Sequence, residues 1–292
     1  MSSSEVRFRA LDRALQYYKL ANLQEAQALL TVEQFEGLML EIADAEGQIV
    51  RRSQPARYRA SNRSLSTPIG QVPPVTAGIF ALIWVVFLLE SIQPGGSTDT
   101  TVLYLFGGTT ADTFSNGQLW RLVASGFVHI GIVHILGNSL ALLWLGQIAE
   151  RLFGRVRFLG LYLAAGIGGS VLSVLLEGTD TISAGASGAI WGLMGAILVG
   201  SWVNRRTIGD EQGRELRRSL MGTLILNACI SLVPGISLTA HLGGFITGAA
   251  LAAVIPFSTT HETKSAANRV DFISKVLIAF AALLMLSWLS AH

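Results

Sequence analysis

The chain has 292 residues, of which 51% are hydrophobic and only 14% charged, against roughly 25% charged in ordinary globular domains. That shortfall excludes a soluble protein of this size, a disordered chain and a coiled coil, and a net charge of +2 gives no bias toward nucleic acid. The single cysteine, Cys229, cannot form an internal disulfide and reads as a small core residue; with no CxxC pair or Cys/His cluster, neither a metal nor a cofactor is expected.

Near the N-terminus, Phe8, Leu11, Leu15 and Tyr18 recur at helical spacing. Thr31 and Gln34 have the spacing of a capping box, opening a helix with Phe35, Leu38 and Ile42 on one face. Residues 1–50 therefore read as a small helical cytosolic domain, whose partner the sequence does not name. The opening stretch MSSSEVRFRALDRA contains no apolar run, so no cleavable signal peptide is expected. Residues 51–73 turn to Arg, Ser and Pro, as in a solvated basic linker that ends at a membrane surface.

Residues 75–89, 122–149, 158–176, 181–203, 219–260 and 276–292 contain no Asp, Glu, Lys or Arg. A membrane-crossing helix needs about 20 mostly apolar residues, and the run at 219–260 is long enough for two, divided at Pro234 and Gly235. The pattern predicts an all-α polytopic membrane protein with seven spans, near 75–92, 132–149, 157–176, 184–203, 217–233, 237–256 and 274–290. Nine Lys or Arg precede the first span, and alternate loops carry Arg151, Arg155 and Arg157, then five arginines between 205 and 218, then Lys264, Arg269 and Lys275. Only Arg121 is left for the other side. By the positive-inside rule the N-terminus is cytoplasmic and His292 external, and a bacterial inner membrane is the expected location. Residues 93–131 then form a long external loop, with His129 an interfacial residue just before the second span.

Polar residues inside a span are functional candidates, because hydrocarbon offers them no partner. The second span carries His134 and Asn138, four residues apart and so on one helical face. The fourth opens with Gly185-Ala-Ser187-Gly188, and the sixth with Ala240-His241-Leu-Gly-Gly244. Each of these spans enters from outside, so the polar residues share one depth, and no Asp or Glu falls in that layer. A hydroxyl, a base and hydrogen-bond donors at one depth are the parts acyl transfer needs: Ser187 as nucleophile, His241 as base, and a dyad without an acidic third member. Each residue also has a plainer reading. A membrane serine commonly bonds a backbone carbonyl, His241 suits a proton relay, and His134 and Asn138 suit helix–helix hydrogen bonding. Of 31 glycines, 15 lie within 126–200; Gly188, Gly192 and Gly195 on one span and Gly244 and Gly248 on another are suited to close helix packing.

Taken together, Trp120-Arg121, His134-Ile-Leu-Gly-Asn138, Glu150-Arg151 followed by Gly154, Gly185-Ala-Ser187-Gly188, and Ala240-His241 with Gly244 and Gly248 resemble the rhomboid intramembrane serine proteases over about residues 75–256. The resemblance implies a six-helix catalytic core at 74–256, a cytoplasmic loop at 257–273 and an added seventh transmembrane helix at 274–292. It implies that Ser187 is the nucleophile and His241 the general base, with His134, Asn138 and the Ser187 N–H forming the oxyanion hole. It also implies that Trp191, where the family commonly has Tyr, packs on His241, and that Trp120, Arg121 and Glu150 are structural. Transmembrane protein substrates, entering laterally beside the fifth span, and the lipid bilayer are the implied partners. A non-enzymatic alternative stays open: an inactive rhomboid-like protein that holds client helices, or a transporter using the polar residues as a relay.

Overall fold

The computed structural model describes residues 72–178, 181–231, 235–258 and 264–287. The expected domain at 1–50, with its capping box, and all but the last two residues of the linker at 51–73 lie outside the described residues. Among those described, regular structure is helical save for one isolated antiparallel bridge between Thr109 and Ser183. The helices are α1 (Pro74–Ser91), α2 (Thr100–Phe106), α3 (Arg121–Ala124), α4 (Gly131–Phe153), α5 (Arg155–Leu176), α6 (Ser187–Val203), α7 (Arg205–Ile208), α8 (Asp210–Ile230), α9 (Leu238–Val254) and α10 (Lys264–Leu286).

Within the described residues, each of the seven expected spans falls on a helix, with three shifted starts. Helix α8 opens at Asp210 rather than 217 and α10 at Lys264 rather than 274. Glu, Arg and Lys are good helix formers, so the backbone coils well before the side chains become apolar. Helix α6 begins only at Ser187, because Gly185 takes a φ of +129° and breaks the helical path. Helices α1, α4 and α5 are long and apolar enough to cross a membrane. Helices α6 and α9 are shorter, at 17 residues each, near the lower limit of about 17 for a spanning helix. Large apolar side chains are exposed on α1 (Leu82, Val85, Leu88), α4 (Leu136, Leu140), α8 (Met221, Ile225) and α10 (Phe272, Phe280, Leu283), a surface that lipid solvates and water does not.

Helix α6 is apolar around its whole circumference and is buried accordingly, with Leu193, Ala196 and Ile197 fully enclosed. Ile83 and Phe87 of α1, Ile135, Leu142 and Leu145 of α4 and Phe158 and Leu161 of α5 pack in the core with it. The closest approach is between α6 and α9. A Cβ on Gly244 would overlap the carbonyl oxygen of Gly188, and one on Gly248 that of Gly192, so the two helices touch backbone to backbone. Helix α10 docks on α5, where Gly160 leaves room for the Ser274 backbone and the buried Arg157 pairs with Asp271 at 2.9 Å. Arg157, counted from sequence among the loop charges, is thus an interhelical contact.

Helix α1 begins with proline, and its next free N–H groups are capped from another helix: Val75 and Thr76 donate to the Glu150 carboxylate at 3.1 and 2.7 Å, and Thr76 Oγ1 at 2.8 Å. The connection from α1 to α4 is folded rather than extended. Asp99 caps α2 by accepting from Thr101 and Val102. The buried Arg121 donates to Gln118 Oε1 at 2.7 Å, to Gly108 O at 3.2 Å and to Tyr104 O, and its guanidinium lies 3.7 Å over the Tyr104 ring and 4.6 Å over Trp120. These bonds hold the loop as a compact unit. Through the Thr109–Ser183 bridge and a 2.8 Å bond from Gly185 N–H to Ser125 O, that unit carries the segment leading into Ser187.

Candidate active site

Ser187 is the first residue of α6, and as such its N–H has no intrahelical acceptor. His241 stands one turn into α9, whose start is capped by Ser237 accepting from Ala240 N–H at 3.0 Å. The glycine contacts between α6 and α9 bring the two side chains together, with His241 Nε2 at 2.8 Å from Ser187 Oγ. Trp191, one turn after Ser187, stacks on the His241 ring with centroids 5.2 Å apart and planes 19° from parallel. Its other neighbour is Phe245, edge-on at 6.2 Å. The indole therefore restricts the imidazole to a plane facing the serine.

His134 and Asn138 face the same turn. A side chain on Gly185 would collide with the His134 ring and come within 3.4 Å of Asn138 Nδ2, so glycine is required both by its φ and by the space those two side chains occupy. Asn138 is buried, and its Nδ2 has no hydrogen-bond acceptor among the described residues. Ile130 N–H donates to His134 Nδ1 at 3.3 Å, which leaves the proton of the neutral ring on Nε2, the nitrogen nearest Gly185. Two side-chain donors thus point at the turn that leads into Ser187.

The sequence reading missed four participants at this end of the bundle. His129, expected at the membrane interface, is fully buried. Its Nδ1 donates to Phe127 O at 3.0 Å, its Nε2 accepts from Ala186 N–H at 3.4 Å, and its ring packs on His134 with centroids 5.3 Å apart. Burial, reinforced by His134, pushes the His129 pKa down from 6.5 to about 4, so the ring is neutral and can accept from Ala186. The folded loop places it there, and only its position ahead of the helix-opening Gly131 hinted at a role. The layer also holds carboxylates, contrary to the expectation of none. Glu90 Oε2 accepts from His129 N–H at 3.3 Å, and Glu177 accepts from Ser173 Oγ at 2.8 Å and from the hydroxyls of Ser237 and Thr239 at the start of α9. Both sit at helix ends, Glu90 in the last turn of α1 and Glu177 just after α5, each immediately past a charge-free run. Neither bonds His241. The fourth participant is Ser231, just past the last residue of α8, whose Oγ lies 2.6 Å from His241 Nδ1.

Trp120, Arg121 and Glu150 are not brought to this cluster. Trp120 and Arg121 anchor the loop, and Glu150 caps α1 at the opposite end of the bundle.

Comparison with known proteins places these residues in context. A family model described as "Rhomboid domain" matches residues 116–256, which include all four of Ser187, His241, His134 and Asn138. The chain is 39% identical to "Rhomboid protease GluP" of Bacillus subtilis (strain 168) over 188 residues, 63% of this chain and 35% of that protein. It is 35% identical to "RHOMBOID-like protein 4" of Arabidopsis thaliana over 160 residues, 55% of this chain and 40% of the relative. With "Putative rhomboid protease YdcA" of Bacillus subtilis (strain 168) the identity is 32% over 178 residues, 60% of this chain and 85% of the relative. The chain spans 35% of the length of the first of these and 40% of the second. The match to YdcA over most of its length, the domain match over the site and the apolar helices agree: the chain is a multi-pass membrane protein and belongs to the rhomboid family.

Proposed function

We propose that this protein is an intramembrane serine endopeptidase that cleaves transmembrane segments of other membrane proteins near the face of the bilayer where Ser187 lies. The observation that carries the reading is the 2.8 Å approach of Ser187 Oγ to His241 Nε2, built on the closest helix pair of the bundle. The names of GluP and YdcA as rhomboid proteases support it.

In this reading His241 Nε2 takes the hydroxyl proton as Ser187 Oγ attacks the scissile carbonyl carbon. The carbonyl oxygen, now carrying the negative charge, is met by Asn138 Nδ2–H, His134 Nε2–H and the Ser187 N–H. The imidazolium returns the proton to the leaving amine, and a water activated by the same nitrogen hydrolyses the acyl-enzyme. Trp191 keeps the imidazole in plane through both steps. A membrane helix has its carbonyls satisfied internally, so a substrate must unwind before it reaches Ser187. Segments weakened by Gly, Ala, Ser or Pro near that face are the expected class, entering laterally beside α8. The N-terminus is cytoplasmic, residues 1–50 form a cytosolic domain, and the site opens to the external side of a bacterial inner membrane, following the distribution of Lys and Arg.

The test is cleavage of a panel of single-span substrates by purified protein, with fluorophosphonate labelling in parallel. Ser187→Ala and His241→Ala should each abolish cleavage, and Ser187→Ala should remove the label. Turnover at the wild-type rate by either folded variant would overturn the dyad.

A further inference from the structure

Ser231 follows Ile230, the last residue of α8, and it is buried, with 3% of its surface exposed. Its hydroxyl has two neighbours: the Asn227 carbonyl oxygen at 2.8 Å and His241 Nδ1 at 2.6 Å. A hydroxyl carries one proton, and a carbonyl oxygen can only accept. With the Ser231 proton donated to the Asn227 carbonyl, which also accepts from Ser231 N–H at 2.9 Å, the Ser231 oxygen presents a lone pair to His241. That arrangement requires a proton on Nδ1. The neutral ring then has its bare nitrogen at Nε2, which faces Ser187 Oγ.

Resting on the protease reading of the same site, we infer that Ser231 is a positioning residue of the catalytic apparatus, the third member of a Ser187–His241–Ser231 relay that selects the tautomer able to accept the nucleophile's proton. A third group conventionally does this with a carboxylate, which also stabilises the imidazolium. A hydroxyl orients the ring and stabilises the imidazolium only as a neutral acceptor, without a second buried charge to desolvate. The nearby carboxylate, Glu177, is engaged by Ser173, Ser237 and Thr239, and it acts on the start of α9 rather than on the ring. Because Ser231 is bonded to the last turn of α8 while His241 belongs to α9 and Ser187 to α6, the relay joins three helices, and the register of α8 sets the protonation of the base.

The experiment uses the full chain in detergent. Steady-state cleavage of one substrate is compared for wild type, Ser231→Ala and Ser231→Thr, with folding monitored by thermal melting. The ring nitrogens are read by 15N NMR of histidine-labelled protein, with His241 assigned by its loss in His241→Gln. Wild type should show His241 protonated at Nδ1 and bare at Nε2. Ser231→Ala should lower kcat on the order of tenfold with KM little changed, the worth of one neutral hydrogen bond, and should shift the ring toward the Nε2–H tautomer. Ser231→Thr, which keeps the hydroxyl, should restore both readouts. A wild-type ring protonated at Nε2 overturns the inference even where Ser231→Ala fails to fold. So does a folded Ser231→Ala with unchanged kcat, or one with reduced kcat and an unchanged ring spectrum. Persistent cleavage by Ser187→Ala would instead overturn the protease reading, and the tautomer measurement would still decide the role of Ser231.

Discussion

Asn138 and His129 do different work beside the Gly185–Ala186 turn. Asn138 holds a buried amide donor with no acceptor among the described residues, a costly arrangement unless a transient charge occupies the space before it. Asn138→Ala should lower kcat by about 10²-fold or somewhat more with the fold intact, because the other donors persist. Normal turnover by Asn138→Ala would reduce the residue to a helix contact. His129 instead supports the turn, accepting from Ala186 N–H through a neutral ring. Its pKa in the fold is about 4 against 6.5 unperturbed, so the unfolded chain binds this proton more readily. Its contribution to stability is complete above pH 6.5 and is lost as pH falls from there toward 4. Melting in detergent should therefore shift to lower temperature between pH 7.5 and pH 4.5. His129→Gln, which keeps an acceptor and does not titrate, should flatten that dependence; an equally steep loss in the variant would assign the effect to other groups.

At the level of elements, the pairing of α6 with α9 is what turns two sequence motifs into a site. Glycine at 188, 192, 244 and 248 lets the two backbones meet, and the Ser187–His241 distance follows from that contact. Gly244→Ala should push the helices apart at the level of the dyad. The expected cost is about 1–3 kcal/mol of stability, with loss of most fluorophosphonate labelling even where the variant folds. Full labelling at the wild-type rate would show that the helices can separate without parting Ser187 from His241. The glycines were legible as packing residues because the four-residue spacing is a local property of the sequence. The starts of α6, α8 and α10 were not, since an apolar count marks where a helix suits lipid and not where its hydrogen bonds begin.

For the molecule as a whole, the seventh long helix, α10, packs on α5 and on the short α3, where Ala281 and Leu284 meet Val123. The buried Arg157 on α5 meets Asp271 on α10, a pair whose carboxylate is about one-third exposed. Asp271→Ala should cost about 1–2 kcal/mol, between the values for exposed and fully buried pairs, with Ser187 labelling unchanged in the folded protein. A folded Asp271→Ala variant without labelling would show that α10 positions the dyad. The loop between α1 and α4 is coupled differently, since it bonds the segment that leads into Ser187 directly through Thr109 and Ser125.

Apolar content and glycine spacing are encoded within one or two turns of chain, so the sequence by itself determined a helical membrane protein with Ser187, His241, His134 and Asn138 at a shared depth. What it could not contain is which groups meet across helices. The bond from His129 to Ala186 spans 57 positions, and the partner of His241 Nδ1 depends on how α8 meets α9 across a turn. Each such contact is set by the angle and register of packed elements, and a serine at a helix end or a histidine in a loop carries no local mark of it. The tertiary structure decided those partners, because a hydrogen bond is satisfied by position in space and not by position in the chain.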